Sequence, residues 1–164
     1  MTFTPIRRCA LTLVLLAGLS VAAATPSAFA DNKRLNNSVF VNIYTAQKQA
    51  GCPTEAKVDG RLVEAARLHS LDIVNNPGLN GDLGSDGSTS QDRANGQGFV
   101  GKVSQTVATN PALAINGIDI LGQWWWDPPA RAAMQDCANT NIGVWSENTL
   151  SRSVVVAVYG QPGA

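Results

Sequence analysis

The chain has 164 residues, 45% of them hydrophobic, which suits one ordinary globular domain and excludes an intrinsically disordered chain. Its 12 basic and 12 acidic side chains balance, so no strong field is available to draw in nucleic acid or an anionic membrane surface.

The chain opens with Arg7-Arg8, an apolar run from Ala10 to Ala24, and the small-x-small motif Ala28-Phe29-Ala30 ahead of Asp31. This is the pattern of a secretory signal peptide over residues 1–30, leaving a domain over residues 31–164. The apolar run is too short, and too well provided with a cleavage site, for a transmembrane anchor. The arginine pair leaves the Sec and twin-arginine routes both open. Cleavage removes two of the 12 basic side chains, leaving 10 against 12 acidic and a net charge of −2. It also removes Cys9. The remaining pair, Cys52 and Cys137, is in an oxidising compartment most simply a disulfide. It would close a loop of about 85 residues, worth about 4–5 kcal/mol in the chain-entropy model. A metal site on two cysteines would want closely spaced ligand pairs and spare histidines, and the sequence offers neither.

Asn37 or Ser38 is placed to cap a first helix carrying Val39, Phe40, Ile43, Tyr44 and Gln47, stopped by Gly51 before Pro53. Asp59 caps a second, in which Leu62, Ala65, Ala66, His69 and Ile73 share one face; Pro77-Gly78 ends it. Residues 75–88 form a long Asn, Gly, Asp and Ser loop. The Ser88/Gln91 spacing predicts a short third helix from Thr89 to about Asn95. Gly96 and Gly98 interrupt, and Phe99-Val100 begin an extended piece. A further helix opens at Asn110-Pro111 or at Asn116, buries Ile118, Leu121, Trp124 and Trp125, and breaks at Asp127-Pro128-Pro129. A tight connection leads past Cys137 to two apolar runs, Ile142 to Trp145 and Val154 to Tyr159, which read as an antiparallel hairpin around a polar loop from Ser146 to Ser153. Helices first and a hairpin last define an α+β sandwich rather than alternating βα units.

Groups suited to catalysis are few. His69 is the only histidine. Its neighbour Ser70 points elsewhere on the helix, and no nucleophile elbow is present. His69 therefore reads as a core-facing histidine with one polar contact, and as the one candidate for a catalytic base. Asp82, Asp86 and Asp92 lack the terminal glutamate of a calcium loop, so they read as turn and capping residues, with Asp86 placed to pair with Arg93. Trp124, Trp125 and Trp126 read either as core or as a stacking surface for sugars or apolar ligands. One helix face cannot present three consecutive residues, so two are expected inside and one at a groove.

Five stretches, in this order and spacing, carry a resemblance. They are AARLHSLDI at 65–73, LGSDGSTSQDR at 83–93, WWWDPPARAAM at 124–134, NIGVW at 141–145 and VVVAVYG at 154–160. Together they resemble the CAP superfamily of cysteine-rich secretory, antigen 5 and pathogenesis-related-1 proteins. The nearest branch is the secreted bacterial one, called SCP-like extracellular domains. The resemblance implies an α-β-α sandwich over about Val39 to Tyr159. In metal-binding members it also implies histidines and glutamates around a central cleft. The positions matching those ligands are here Asp82, Gln105, Asp127 and Ala130, so both histidines and one glutamate are replaced. No metal and no other cofactor is expected.

The resemblance thus implies a secreted or envelope-located, non-catalytic domain that binds an apolar ligand such as a sterol or fatty acid, or an extracellular or cell-envelope partner. Two other readings are a hydrolase using His69 and a purely structural envelope protein.

Overall fold

The computed structural model describes residues 28–79, 81–111 and 116–163. The leader expected over residues 1–30 falls almost wholly on residues outside the described ones. The described residues form α1 (Ala28–Gln49), β1 (Lys57–Val58), α2 (Gly60–Asn75), α3 (Ser90–Gly96), β2 (Gly101–Pro111), α4 (Gly117–Trp126), α5 (Pro128–Gln135), β3 (Asn141–Asn148) and β4 (Arg152–Pro162). The strands make one sheet in the order β1-β3-β4-β2, with β1 parallel to β3 and the other pairs antiparallel.

Strand β4 is the axis of the fold. Its residues Ser153 to Gly160 are all buried, which is why its sequence is a continuous apolar run rather than an alternation. Successive side chains still point to opposite faces. Val155, Ala157 and Tyr159 enter a core with Val39 and Ile43 of α1, Ile120 and Trp124 of α4, and Ala130 and Met134 of α5. Val154, Val156 and Val158 enter a second core with Leu62, Ala65, Ala66 and Ile73 of α2, Ala94 of α3, and Phe99. The result is the expected α+β, α-β-α sandwich: α1, α4 and α5 on one face, α2 and α3 on the other.

Helix α1 begins at Ala28, well before the expected caps Asn37 and Ser38. Its polar early turns are carried by tertiary contacts: Asn32 is buried and accepts from the Asn148 amide of β3, and Leu35 packs on the core. The C-terminal end behaves as expected. Gly51 takes a φ of 86°, and the N–H groups of Gly51 and Cys52 donate to the carbonyls of Lys48 and Gln47, closing the helix with a left-handed glycine. Cys52 is bonded to Cys137 across 85 residues. Beside that bond, the Gln47 amide donates to Asn139 O at 2.9 Å.

Asp59 caps α2 through Arg61 N, as expected. The cap of α3 is Thr89, one residue after Ser88, and it exchanges hydrogen bonds with Asp92 rather than using Gln91. Asp92 wins because its shorter side chain reaches back to the Thr89 N–H while Gln91 extends to Val103 N and Gly101 O. Phe99 is core, and the strand starts at Gly101. Asn116, not Asn110-Pro111, opens α4; Pro111 ends β2, an edge strand where a missing N–H costs nothing. Ile118 is 78% exposed, against expectation, because α4 packs through Gly117, Ile120 and Trp124. The connection after Asp127 is a helix, α5, in which the two prolines occupy the first turn where no N–H is needed. The hairpin loop shrinks to Thr149-Leu150-Ser151 because β3 and β4 pair as far as Asn148 and Ser153.

Helix α2 crosses β3 at Gly143, where a Cβ would fall inside the backbone of Leu62 and Val63. Only glycine permits this approach. Gly143→Ala is therefore expected to abolish cooperative thermal unfolding in near-UV circular dichroism. An unchanged melting curve would show that α2 can shift away without loss.

Candidate functional site

The loop after α2 forms one wall of a cleft, and three side chains hold it. His69, fully buried on α2, donates from Nε2 to Gly81 O at 2.6 Å. The Asp72 carboxylate, one turn on, accepts from Ser85 N at 2.7 Å and Ser85 Oγ at 2.6 Å. Arg93, buried on α3, donates from Nη1 to Ser88 O at 2.8 Å and from Nη2 to Asp82 O at 2.7 Å. Asp86 does not pair with Arg93 as expected. Its carboxylate turns back to accept from Ser88 N, leaving the guanidinium to loop carbonyls, the Ser88 hydroxyl and Gln105.

Electrostatics follow from this packing. Burial pushes the His69 imidazole below its ordinary pKa; the Gly81 carbonyl and the carboxylates of Asp72 and Asp82 oppose the shift, and Arg93 adds to it. Its Nδ1 has no partner among the described residues. Burial would raise the Asp72 carboxyl, but the Ser85 hydroxyl and N–H outweigh it and hold the group below the usual carboxylate range.

The cleft behind this wall has a volume of about 590 Å³, in the ordinary range of about 300–1,000 Å³ for small-ligand sites. It runs between the loop, strand β2 and the α4–α5 junction. All four positions singled out by the resemblance line it: Asp82 from the loop, Gln105 from β2, Asp127 from the junction and Ala130 from α5. Gln105 bridges them to the wall. Its Nε2 donates to Asp82 Oδ1 at 3.1 Å, and its Oε1 accepts from Arg93 Nη2 at 3.1 Å. Ser90, Ser104 and Thr106 add hydroxyls, and Trp124 adds an apolar floor. Trp124 is core, with Nε1 donating to Val107 O at 3.0 Å. Trp125 is half-buried under the Arg131 guanidinium, and Trp126 is 82% exposed. Trp124 alone is fully inside, and Trp126 lines neither cavity, so the expected pairing of two buried rings with one at a groove is met only by Trp124. His69 is not among the cleft-lining residues; it lies behind Gly81.

A second pocket, of about 450 Å³, opens beside the first half of α1. Phe40, Val58, Val63, Val144 and Trp145 make its apolar walls, with Asn32, Lys33, Asn36 and Asn37 along one side. The Asn36 Oδ1 atom is buried there without a partner among the described residues. Sequence reasoning missed this pocket because it placed residues 32–36 outside the helix. The spacing of Asn32, Asn36 and Phe40, four apart on one helical face, is the signal that could have found it.

No family model matches the sequence, and no curated protein matches it significantly. Solved structures do. An outer surface protein of Borrelia burgdorferi superposes with a TM-score of 0.70 at 16% identity, covering 80% of this chain and 95% of that one. An extracellular protein containing an SCP domain from Bacillus anthracis gives 0.68 at 16% identity, covering 79% of this chain and 41% of that one. A cysteine-rich secretory protein of Staphylococcus aureus gives 0.58 at 11%, covering 79% and 39%. The chain thus spans less than half of the latter two proteins. It has the CAP, or SCP-like, fold, and the neighbours carrying that description are extracellular or secretory proteins.

The divalent metal that the resemblance implies does not fit this cleft. Ala130 offers no donor, and Gln105 offers an amide whose oxygen already accepts from Arg93. The remaining carboxylates, Asp82 and Asp127, share the space with a guanidinium that repels a cation. Zinc favours imidazole and thiolate. The imidazole here is spent on Gly81, and the thiolates of Cys52 and Cys137 are joined in their disulfide.

Metal-stripped protein titrated with zinc in a calorimeter is expected to show no saturable binding at micromolar concentration; stoichiometric binding there would overturn the reading. His69 supplies a pH signature. Its folded pKa lies below its unfolded value of about 6.5, so the unfolded chain takes up the proton first and stability falls as pH drops through that value. The melting temperature should fall between pH 7.5 and 5.5, and this fall should be largely absent in His69→Gln, which keeps a donor for Gly81.

Proposed function

We propose that this chain is a secreted, non-catalytic binding domain whose ligand is an amphiphile with a single hydrocarbon chain. The observation that carries the reading is the apolar pocket beside α1. Phe40, Val58, Val63, Val144 and Trp145 offer a hydrocarbon chain an apolar bed of about 450 Å³. Burying about eight methylenes there supplies about 6 kcal/mol before ordering costs. Lys33 stands at the pocket, and no ion pair involves it among the described residues. It favours an anionic head group, while the buried Asn36 Oδ1, an acceptor without a partner among the described residues, can take a hydroxyl beside that head. Secretion is supported by the sequence of residues 1–30, by the Cys52–Cys137 bond, and by the extracellular description of the structural neighbours. No helix among the described residues is long and apolar enough to cross a membrane. A hydrolase reading built on His69 has nothing to support it, since the ring is fully buried and its Nε2–H is spent on a backbone carbonyl.

The test uses a dansyl-undecanoate probe, read by its fluorescence. Wild-type protein is expected to bind saturably. Val58→Trp, at a position 59% exposed and so tolerant of size, should fill the mouth and weaken binding about tenfold or more. Lys33→Ala should weaken the anionic probe more than it weakens competition by dodecanol. Undiminished binding in Val58→Trp would place the ligand elsewhere.

A further inference from the structure

The polar cleft between the loop, β2 and the α4–α5 junction is a separate cavity from the apolar pocket, and its chemistry is different. Its free hydrogen-bonding groups can be counted. Asp82 uses Oδ1 on Gln105, which leaves its second carboxylate oxygen. Gln105 spends one amide N–H on Asp82 and retains the other. The side chains of Ser90, Ser104 and Asp127 make no hydrogen bond among the described residues, and Asp127, at the N-cap position of α5, makes no side-chain capping bond. Thr106 is already engaged with the Tyr159 hydroxyl at 2.9 Å.

The cleft therefore presents both acceptors (Asp82 and Asp127) and donors (Gln105, Ser90 and Ser104). A metal ion or organic cation would call for acceptors alone, and a phosphate or fatty-acid carboxylate for donors alone. A hydroxyl group both donates and accepts, and vicinal hydroxyls match a carboxylate with two oxygens. The cleft volume admits more than one ring. Trp124 contributes an apolar floor against which a ring face can lie.

We infer that this cleft binds a neutral saccharide chain, with Asp82 and Gln105 on one side of the β2 edge and Ser104 and Asp127 on the other hydrogen-bonding hydroxyls of neighbouring sugars beside the Trp124 floor. The inference stands on groups that the amphiphile reading does not use, so either can fail alone.

The experiment titrates the full secreted chain with cellotetraose and with tetra-N-acetylchitotetraose, following tryptophan fluorescence and amide chemical shifts. At least one is expected to saturate in the range of about 0.1–1 mM. Asp82→Asn combined with Asp127→Asn should weaken it about tenfold or more, both sites being exposed and the melting temperature unchanged. Dansyl-undecanoate binding should be untouched in this double variant. No saturation by either oligosaccharide overturns the inference. So does saturation that survives the double substitution, and so does binding of spermidine in place of both sugars, which would make the cleft a cation site.

Discussion

The structure depends on a strand that has no solvent face. Every residue of β4 from Ser153 to Gly160 is buried, so a single layer of helices could not satisfy it. Two apolar cores of opposite orientation are required, and five helices are distributed to supply them. The functional geometry is a by-product of that demand. The helices on one face leave a cleft where α4 turns into α5 over β2, and α1 leaves a pocket where it overhangs the β1–β3 edge. Both cavities sit where a helix must begin or end beside the sheet.

The cleft wall is held by the chain's own side chains. Loop residues 81–88 are tied down by an imidazole, a carboxylate and a guanidinium from the two helices behind them. Each bond goes to the loop backbone or to a serine, so the wall keeps its form whatever lies in front of it. Gln105 then joins the sheet to the loop through the Asp82 carboxylate and to α3 through the Arg93 guanidinium, two charge-assisted hydrogen bonds. A network of this kind tolerates substitution at the front positions, where Asp82 and Ala130 stand, because none of the wall contacts passes through their side chains except the Gln105 amide.

Much of this was legible in the residues, for reasons that differ from element to element. Helix α2 carried both of its signals, an Asp59 cap and a 3.6-residue apolar period, and the structure keeps both. The hairpin was legible because the VVVAVYG run has no alternative to a doubly buried strand. The start of α1 was not, since Asn32 is held by Asn148, 116 residues away, and no local pattern reports such a contact. Helix α5 was hidden by its prolines, which read as breakers unless the first turn is recognised as the place that tolerates them. At the site, matching by order along the chain brought Asp82, Gln105, Asp127 and Ala130 to one cleft. The roles of Asp72 and Arg93 stayed hidden because their partners are loop backbone atoms. The α1 pocket was invisible for the same reason as the helix that forms it.

The position of β4 in the chain has a kinetic consequence. It comes last among the described elements, yet it is the one against which β2 and β3 both pair. Until residues 152–162 leave the ribosome, neither core has a floor and α2 has only β3 to rest on. Collapse of this domain therefore waits for residues 152–162. The contacts that then form span most of the sequence, which makes the subsequent search slow for a domain of this size.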